Sequence, residues 1–457
     1  MDQKPSKFAK VVNSLFTWVF VLYFLMVLLP NIVHPEFLNN FLSTPLMSKL
    51  VQYKGVPFIL YFILVLIANK KMPKWQAIVS FLLLGIYTLV VMYFAPRDLT
   101  YEYINSKGVI TPHEVTVTLA DQFKFYGPYL FGIMYAFCLF YIAPITGEHG
   151  KTKSVVIWVL ILIALLSCAY SYVAELDKYK TLFAGLAKNK WVLDIRSVYA
   201  NKNRFGSVIF AGFVASLILC VSSPKGLRPL GYILGIYFTA SCLIIRCDDA
   251  FLSCVFGWML LFLGMIIANF KKHWITCLIF SLLYAAIVAG ALFCVFAPSI
   301  YTSVSLLKKA HDFLMQINGA TGRFLIWKYY FGNLSGYQYL FGIGHIGYFI
   351  DNIVERDLLE ELSLHNGVID YFNAGGVVYV VFLAFLSVKS AIIINKQFKT
   401  NPLIFAALLA IYGSFFLYGF AETFTPFTAR FINTAAISYL ITAWPMALPK
   451  PKESSAI

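Results

Sequence analysis

Apolar runs long enough to cross a bilayer recur along almost the whole of this chain, and that pattern leaves few folds open. A helix of about 20 apolar residues spans the hydrocarbon layer. Twelve candidate runs can be marked, at 11–33, 55–69, 75–96, 125–146, 154–174, 205–222, 228–246, 250–269, 274–297, 366–388, 402–420 and 429–448, the second trimmed by Lys54. Only 12% of the 457 residues are charged and 60% are hydrophobic, with a mean hydropathy of +0.76. A soluble domain of this size needs far more charge on its surface. The expected fold is an all-α polytopic membrane protein. Met1–Lys10 is polar and basic, and the run from Val11 is too long for a signal core, so it is read as a retained first span.

The net charge of +15 raises the question of nucleic acid, but its distribution answers it otherwise. With twelve spans and the N-terminus inside, the inside segments hold 17 basic residues against Asp2, Glu148 and Glu453, a net of +14. The remainder holds 19 basic and 18 acidic residues, a net of +1. The excess therefore sits in short turns and tails, as the positive-inside rule requires. Both ends are expected to be cytoplasmic, and no nucleic-acid role is called for.

The outer segments, at 34–54, 97–124, 175–204 and 298–365, are longer than the inner turns, and the last has 68 residues. Its helix-like stretches Ile300–Ile317 and Arg323–Leu334 predict a small folded element over the bundle. The chain is thus divided into a bundle of nine spans at 1–297, a large outer loop at 298–365 and a bundle of three spans at 366–457. Sequence invested on one face points to work at that face. Seven of the eight cysteines lie inside apolar runs, Cys247 being the exception, and read as small apolar fillers with no disulfide framework. No metal-ligand spacing is seen.

Three stretches could carry chemistry. In the first, from Leu364 to Tyr379, Asn366, Asp370 and Asn373 are spaced to share one helix face, with His365 at its outer mouth. Polar side chains in a span face the bundle or a wet cavity, and a histidine there can exchange a proton near neutral pH. The plainer alternative is a capping histidine beside a polar packing stripe. Gly375-Gly376 reads as a close helix crossing. The second runs from Thr321 through Arg323 to Trp327, and then from Tyr339 to His345. An arginine holds a diphosphate by paired hydrogen bonds, or simply sits at a lipid headgroup. The third gathers Arg196, Asn201, Lys202, Asn203 and Arg204 before the sixth span, and Arg246, Asp248 and Asp249 after the seventh. These cations suit an anionic lipid-phosphate substrate, although Arg246 with Asp249, and Glu422 with Arg430, can be read as local ion pairs. There is no nucleotide-binding glycine loop, zinc-protease motif or nucleophile elbow. Chemistry on an outer face, where ATP is scarce, needs a substrate activated beforehand.

On these residues the chain resembles the O-antigen ligase and polysaccharide polymerase superfamily of bacterial envelopes. His365-Asn366 followed by Gly376 and Tyr379 looks like that family's histidine motif at the end of its large periplasmic loop. Gly322-Arg323 with Trp327, and then the Phe341-Gly342-Ile343-Gly344 turn, resembles its loop arginine and the segment beyond. Asn201-Lys202-Asn203 with Arg196 is similar to a further element before a span. The detailed likeness covers about residues 190–390. One departure stands out: where the family has a Ser-Arg or Thr-Arg pair, this chain has Ile245-Arg246-Cys247. Either Arg246 fills the role in a shifted register or the role is altered.

The resemblance implies a GT-C-like, metal-independent and cofactor-free inverting glycosyltransferase in the bacterial cytoplasmic membrane, active on its outer side. Its donor would be an undecaprenyl-diphosphate-linked oligosaccharide; its other partners would be membrane lipids and further polysaccharide-assembly proteins. His365, Arg323 and Arg246 would be catalytic, and Arg196, Asn203, Arg204, Asn366, Asp370 and Trp327 would bind substrate. The expected activity is polymerisation of a capsule, exopolysaccharide or O-antigen. The alternatives are a ligase and a flippase for the same lipid-linked glycan.

Overall fold

A computed structural model describes residues 6–33, 44–52, 54–104, 110–147, 149–186, 195–222, 224–270, 320–349, 364–422 and 432–448, with a few single positions between. Among the described residues nine helices are long and apolar enough to cross a membrane: Lys7–Leu28, Trp75–Phe94, Leu119–Ile145, His149–Ala174, Lys202–Ser222, Lys225–Ile244, Asp248–Asn269, Gly367–Thr400 and Pro402–Phe420. Each coincides with one of the runs marked in the sequence, and the protein is a multi-pass helical membrane protein. The second run forms a shorter apolar helix, Gly55–Asn69. The last divides at Thr442 into Ile432–Ile441 and Ala443–Met446. Most of the run at 274–297, and all of Ile300–Ile317, lie outside the described residues.

Helix Lys202–Ser222 is the axis of the bundle: every residue from Phe205 to Val221 is buried. It touches the helices at 149–174, 228–244, 248–269 and 402–421. Small residues allow that approach, since a Cβ on Gly212 would stand 2.6 Å from the Ala164 Cβ. The peripheral helix Trp75–Phe94 is the opposite case, with only 11% of its apolar window buried and Leu82, Leu83 and Ile86 facing outward. Outward-facing apolar side chains at that density suit a surface that meets lipid rather than water.

The segment at 97–124, expected as a plain loop, contains a β-hairpin. Strands Asp98–Ile104 and Ile110–Thr116 pair antiparallel, with Asp98 opposite Thr116 and Ile104 opposite Ile110. Threonine, tyrosine, valine and isoleucine in short runs favour a pleated surface. The six described cysteines outside 271–300 are buried and free, Cys247 included.

Candidate functional site

The site is built where three helix ends meet, opposite the lysine-rich turns. Asn366 is the N-cap of helix Gly367–Thr400: its side-chain oxygen accepts from the Val368 and Ile369 amides at 2.9 and 3.1 Å. Asparagine is preferred there because it satisfies amides that the helix cannot. Its own amide donates to the Phe420 carbonyl at 2.9 Å, tying this start to the end of the 402–421 helix. The Gly367 amide donates to the Glu422 carbonyl at 3.1 Å. The cap is therefore Asn366 and not His365, and Asn366 stands just ahead of the helix that carries Asp370 and Asn373.

These ties bring His365 beside Glu422. The His365 Nδ1 lies 3.8 Å from Glu422 Oε2, and the carboxylate side chain is only 6% exposed. The other carboxylate oxygen accepts from Asn203 Nδ2 at 2.8 Å. A buried carboxylate is costly unless it is paired or hydrogen-bonded, and both neighbours come from residues marked in the sequence. Glu422 itself was read there only as an ion-pair partner of Arg430, which lies outside the described residues. The signal that could have singled it out is its rarity: a glutamate at the end of an apolar run in a chain with 21 acidic residues. His365 also has φ +49°, in the left-handed region that non-glycine residues seldom occupy. Such strain persists where surrounding contacts over-determine it, and it gathers at functional sites.

Other marked residues surround this triplet. Asn203 and Arg204 open helix Lys202–Ser222; the Arg204 amide is capped by Asn201 at 2.9 Å, and its guanidinium donates to Asn31 at 3.4 Å. Arg246 occupies the turn between two spans with φ +57°. The next residue, Cys247, packs on Gly206, one helical turn past Asn203, and is an electrostatic neighbour of Glu422. Trp327 donates its indole N–H to the Leu364 carbonyl at 2.7 Å, and its ring meets Phe420 edge-on at 5.9 Å. That helix, Ala320–Gly332, also carries Arg323 one turn earlier; the Arg323 side chain is outside what the structure describes. Trp327 thus serves as the tie that holds the arginine-bearing helix against the residue before His365. Arg196 is exposed, and the backbone amides of Arg196 and Ser197 are held by the Glu175 carboxylate at 3.2 and 2.8 Å.

Asp370 and Asn373 point the polar stripe toward a second cluster. Asn373 is fully buried, donating to the Gly344 carbonyl at 2.8 Å and accepting from the Tyr330 hydroxyl at 3.1 Å. Burial, with Asp370 nearby, pushes the Tyr330 phenol well above its ordinary value, so it stays a donor. Asn373 is a packing residue that pins the Gly342–Gly344 turn to the helix.

Gly375-Gly376 is the close helix contact expected, and it is also a break in its own helix, with Gly376 at φ +56°, ψ −152°. The helix Gly336–Phe341 packs into the break. Tyr87 points its hydroxyl between the freed Gly375 carbonyl at 3.0 Å and the Leu340 carbonyl at 2.9 Å. Tyr87→Phe leaves these acceptors without their donor. It should cost about 1–3 kcal/mol, read as a lowered midpoint in thermal unfolding of the detergent-purified protein.

Set beside known proteins, the chain matches no protein-family profile and no curated protein.

Proposed function

We propose that this chain is a twelve-span glycosyltransferase, both ends inside, that moves a glycan from undecaprenyl diphosphate to an acceptor hydroxyl at the outer membrane face, as a polysaccharide polymerase. The observation that carries the reading is the chain Asn203–Glu422–His365, with distances of 2.8 and 3.8 Å, at the end opposite the lysine-rich turns. Nine long helices, one short apolar helix, one divided helix and the apolar run at 274–297 add up to the twelve. The charge bias of the turns favours the orientation.

In this reading Glu422 holds the Nδ1 side of the His365 ring and leaves Nε2 for the acceptor. Asn203 fixes Glu422. The acceptor oxygen attacks the anomeric carbon as its proton passes to His365. The bond from that carbon to the diphosphate oxygen breaks, and the departing charge is held by Arg323 and Arg246, with Arg204 or Arg196 assisting. A ligase would run the same step with a lipid core as acceptor.

The broken helix is the one feature that favours a transporter, since discontinuous spans line the binding sites of many. Here its freed carbonyl is already occupied by Tyr87 and the break is filled by the 336–341 helix, which favours a structural use. Proteoliposomes supplied with labelled lipid-linked oligosaccharide separate the two. The transferase reading expects longer lipid-linked glycans with the label still on its original side. Translocation without elongation would overturn it. In the same assay Glu422→Gln keeps the shape and removes the charge. The charge-assisted hydrogen bond from Asn203 that fixes Glu422 beside His365 is worth about 1.5–3 kcal/mol, so turnover should fall roughly ten- to hundredfold at 1.4 kcal/mol per decade.

A further inference from the structure

At the lysine-rich end a groove of about 150 Å³ opens between helices His149–Ala174 and Lys202–Ser222 and the turn that follows. Lys153, Ser154 and Trp158 line one wall, and Ser222, Pro224 and Leu227 the other. A groove of that volume has room for several waters or one polar group, and its polar lining consists of one ammonium and two hydroxyls. Among the described residues Lys153 makes a single hydrogen bond, to Ser222 at 3.4 Å, and rests over the Trp444 ring at 5.3 Å. An ammonium has three donors, and Lys153 lines the groove with more of them than its bond to Ser222 uses. Lys225, exposed on the turn between Pro224 and Leu227, adds a second cation. Helix Arg228–Ile244 begins beside Leu227, and the positive end of its dipole favours an anion there.

The groove continues into the lipid-facing surface. Trp158, Leu162 and Leu166 follow one another at four-residue spacing along a single helix face and are 43, 56 and 60% exposed. We propose that this groove binds the phosphodiester of an anionic phospholipid, with Lys153 and the Ser222 hydroxyl on the phosphate, Lys225 at the rim, the Ser154 hydroxyl remaining on the Gly150 carbonyl at 3.2 Å, and an acyl chain along Trp158, Leu162 and Leu166. Basic pockets between spans hold acidic headgroups by this combination of charge and apolar wall. The site lies at the opposite end of the bundle from His365 and does not depend on any transferase activity.

Native mass spectrometry of the full chain in detergent, titrated with phosphatidylglycerol, phosphatidylcholine or inorganic phosphate, tests this. Phosphatidylglycerol should be retained over phosphatidylcholine, and Lys153→Gln should cut that preference about fivefold, the effect of one lysine near an anionic surface. Lys225→Gln, on an exposed turn that can tolerate it, should lower the preference in the same direction, and it decides the matter if the Lys153 variant does not accumulate. Lys74→Gln, on a different basic turn, should change nothing. Equal retention of the two lipids, an unchanged preference in both groove variants, or displacement of the lipid by millimolar inorganic phosphate would overturn the proposal, the last by making the site one for free phosphate.

Discussion

His365→Asn should reduce glycan transfer by about 10²–10⁴-fold, the range a positioned general base supplies, while leaving the amount of folded protein unchanged. Asparagine is chosen because His365 sits at φ +49°. Asparagine tolerates left-handed backbone better than alanine does, so the change removes the imidazole without adding strain. The Asn366 cap, the tie from Gly367 to Glu422 and the tie from Trp327 to Leu364 involve other side chains or the main chain, and they remain. The readout is glycan length in membranes containing equal amounts of protein. Full-length polymer from this variant would remove His365 from the chemistry and with it the support for the proposed reaction.

The second large effect falls on folding. Gly376→Ala places a side chain at φ +56°, ψ −152°, a region open almost only to glycine. The added Cβ would lie within van der Waals overlap of the Leu340 carbonyl and the Phe341 amide, both main-chain atoms. Neither can move unless the 336–341 helix shifts, and that helix is fastened by Tyr87. Strain and clash together are expected to cost about 4 kcal/mol or more, the exceptional tail of point-mutant effects. The protein should fail to accumulate in membranes. Gly85→Ala is the control: it lies inside helix Trp75–Phe94, a Cβ there meets no neighbouring element within 4 Å, and alanine in a helix is favoured over glycine by about 0.5–1 kcal/mol. Normal accumulation of the Gly376 variant would mean that the break is not held as described.

The long helices were legible because a bilayer imposes its own length on apolar sequence, and that signal survives any detail of packing. What went unread depends on partners distant in sequence. Spacing predicts a close contact at a glycine pair but not that the helix also breaks there; Leu340 and Tyr87 decide that for Gly375-Gly376. The pairing of Glu422 with Asn203 and His365 joins three separate segments, and only the meeting of three helix ends makes it visible. The asparagines on the histidine motif were found but differ in use: Asn366 caps and staples, while Asn373 packs under Tyr330. Trp327, an expected substrate contact, has its indole N–H on the Leu364 carbonyl, a tie that its place in the sequence does not reveal. The hairpin at 98–116 was overlooked because short alternating strands give a faint signal beside runs of span length.

The axial helix at 202–222 has a consequence for how the molecule is made. Its neighbours at 149–174 and 228–244 are its near neighbours in the chain, but Phe210 also packs against Tyr418, at 4.8 Å between rings. That partner leaves the ribosome some 200 residues later, and at 5–20 residues per second the delay is roughly ten to forty seconds. Through that interval one flank of the helix lacks its final neighbour. A helix apolar on every side tolerates the wait; one with a polar stripe prepared for its final neighbours would not. Its even hydrophobicity therefore suits the nascent chain as well as the finished bundle.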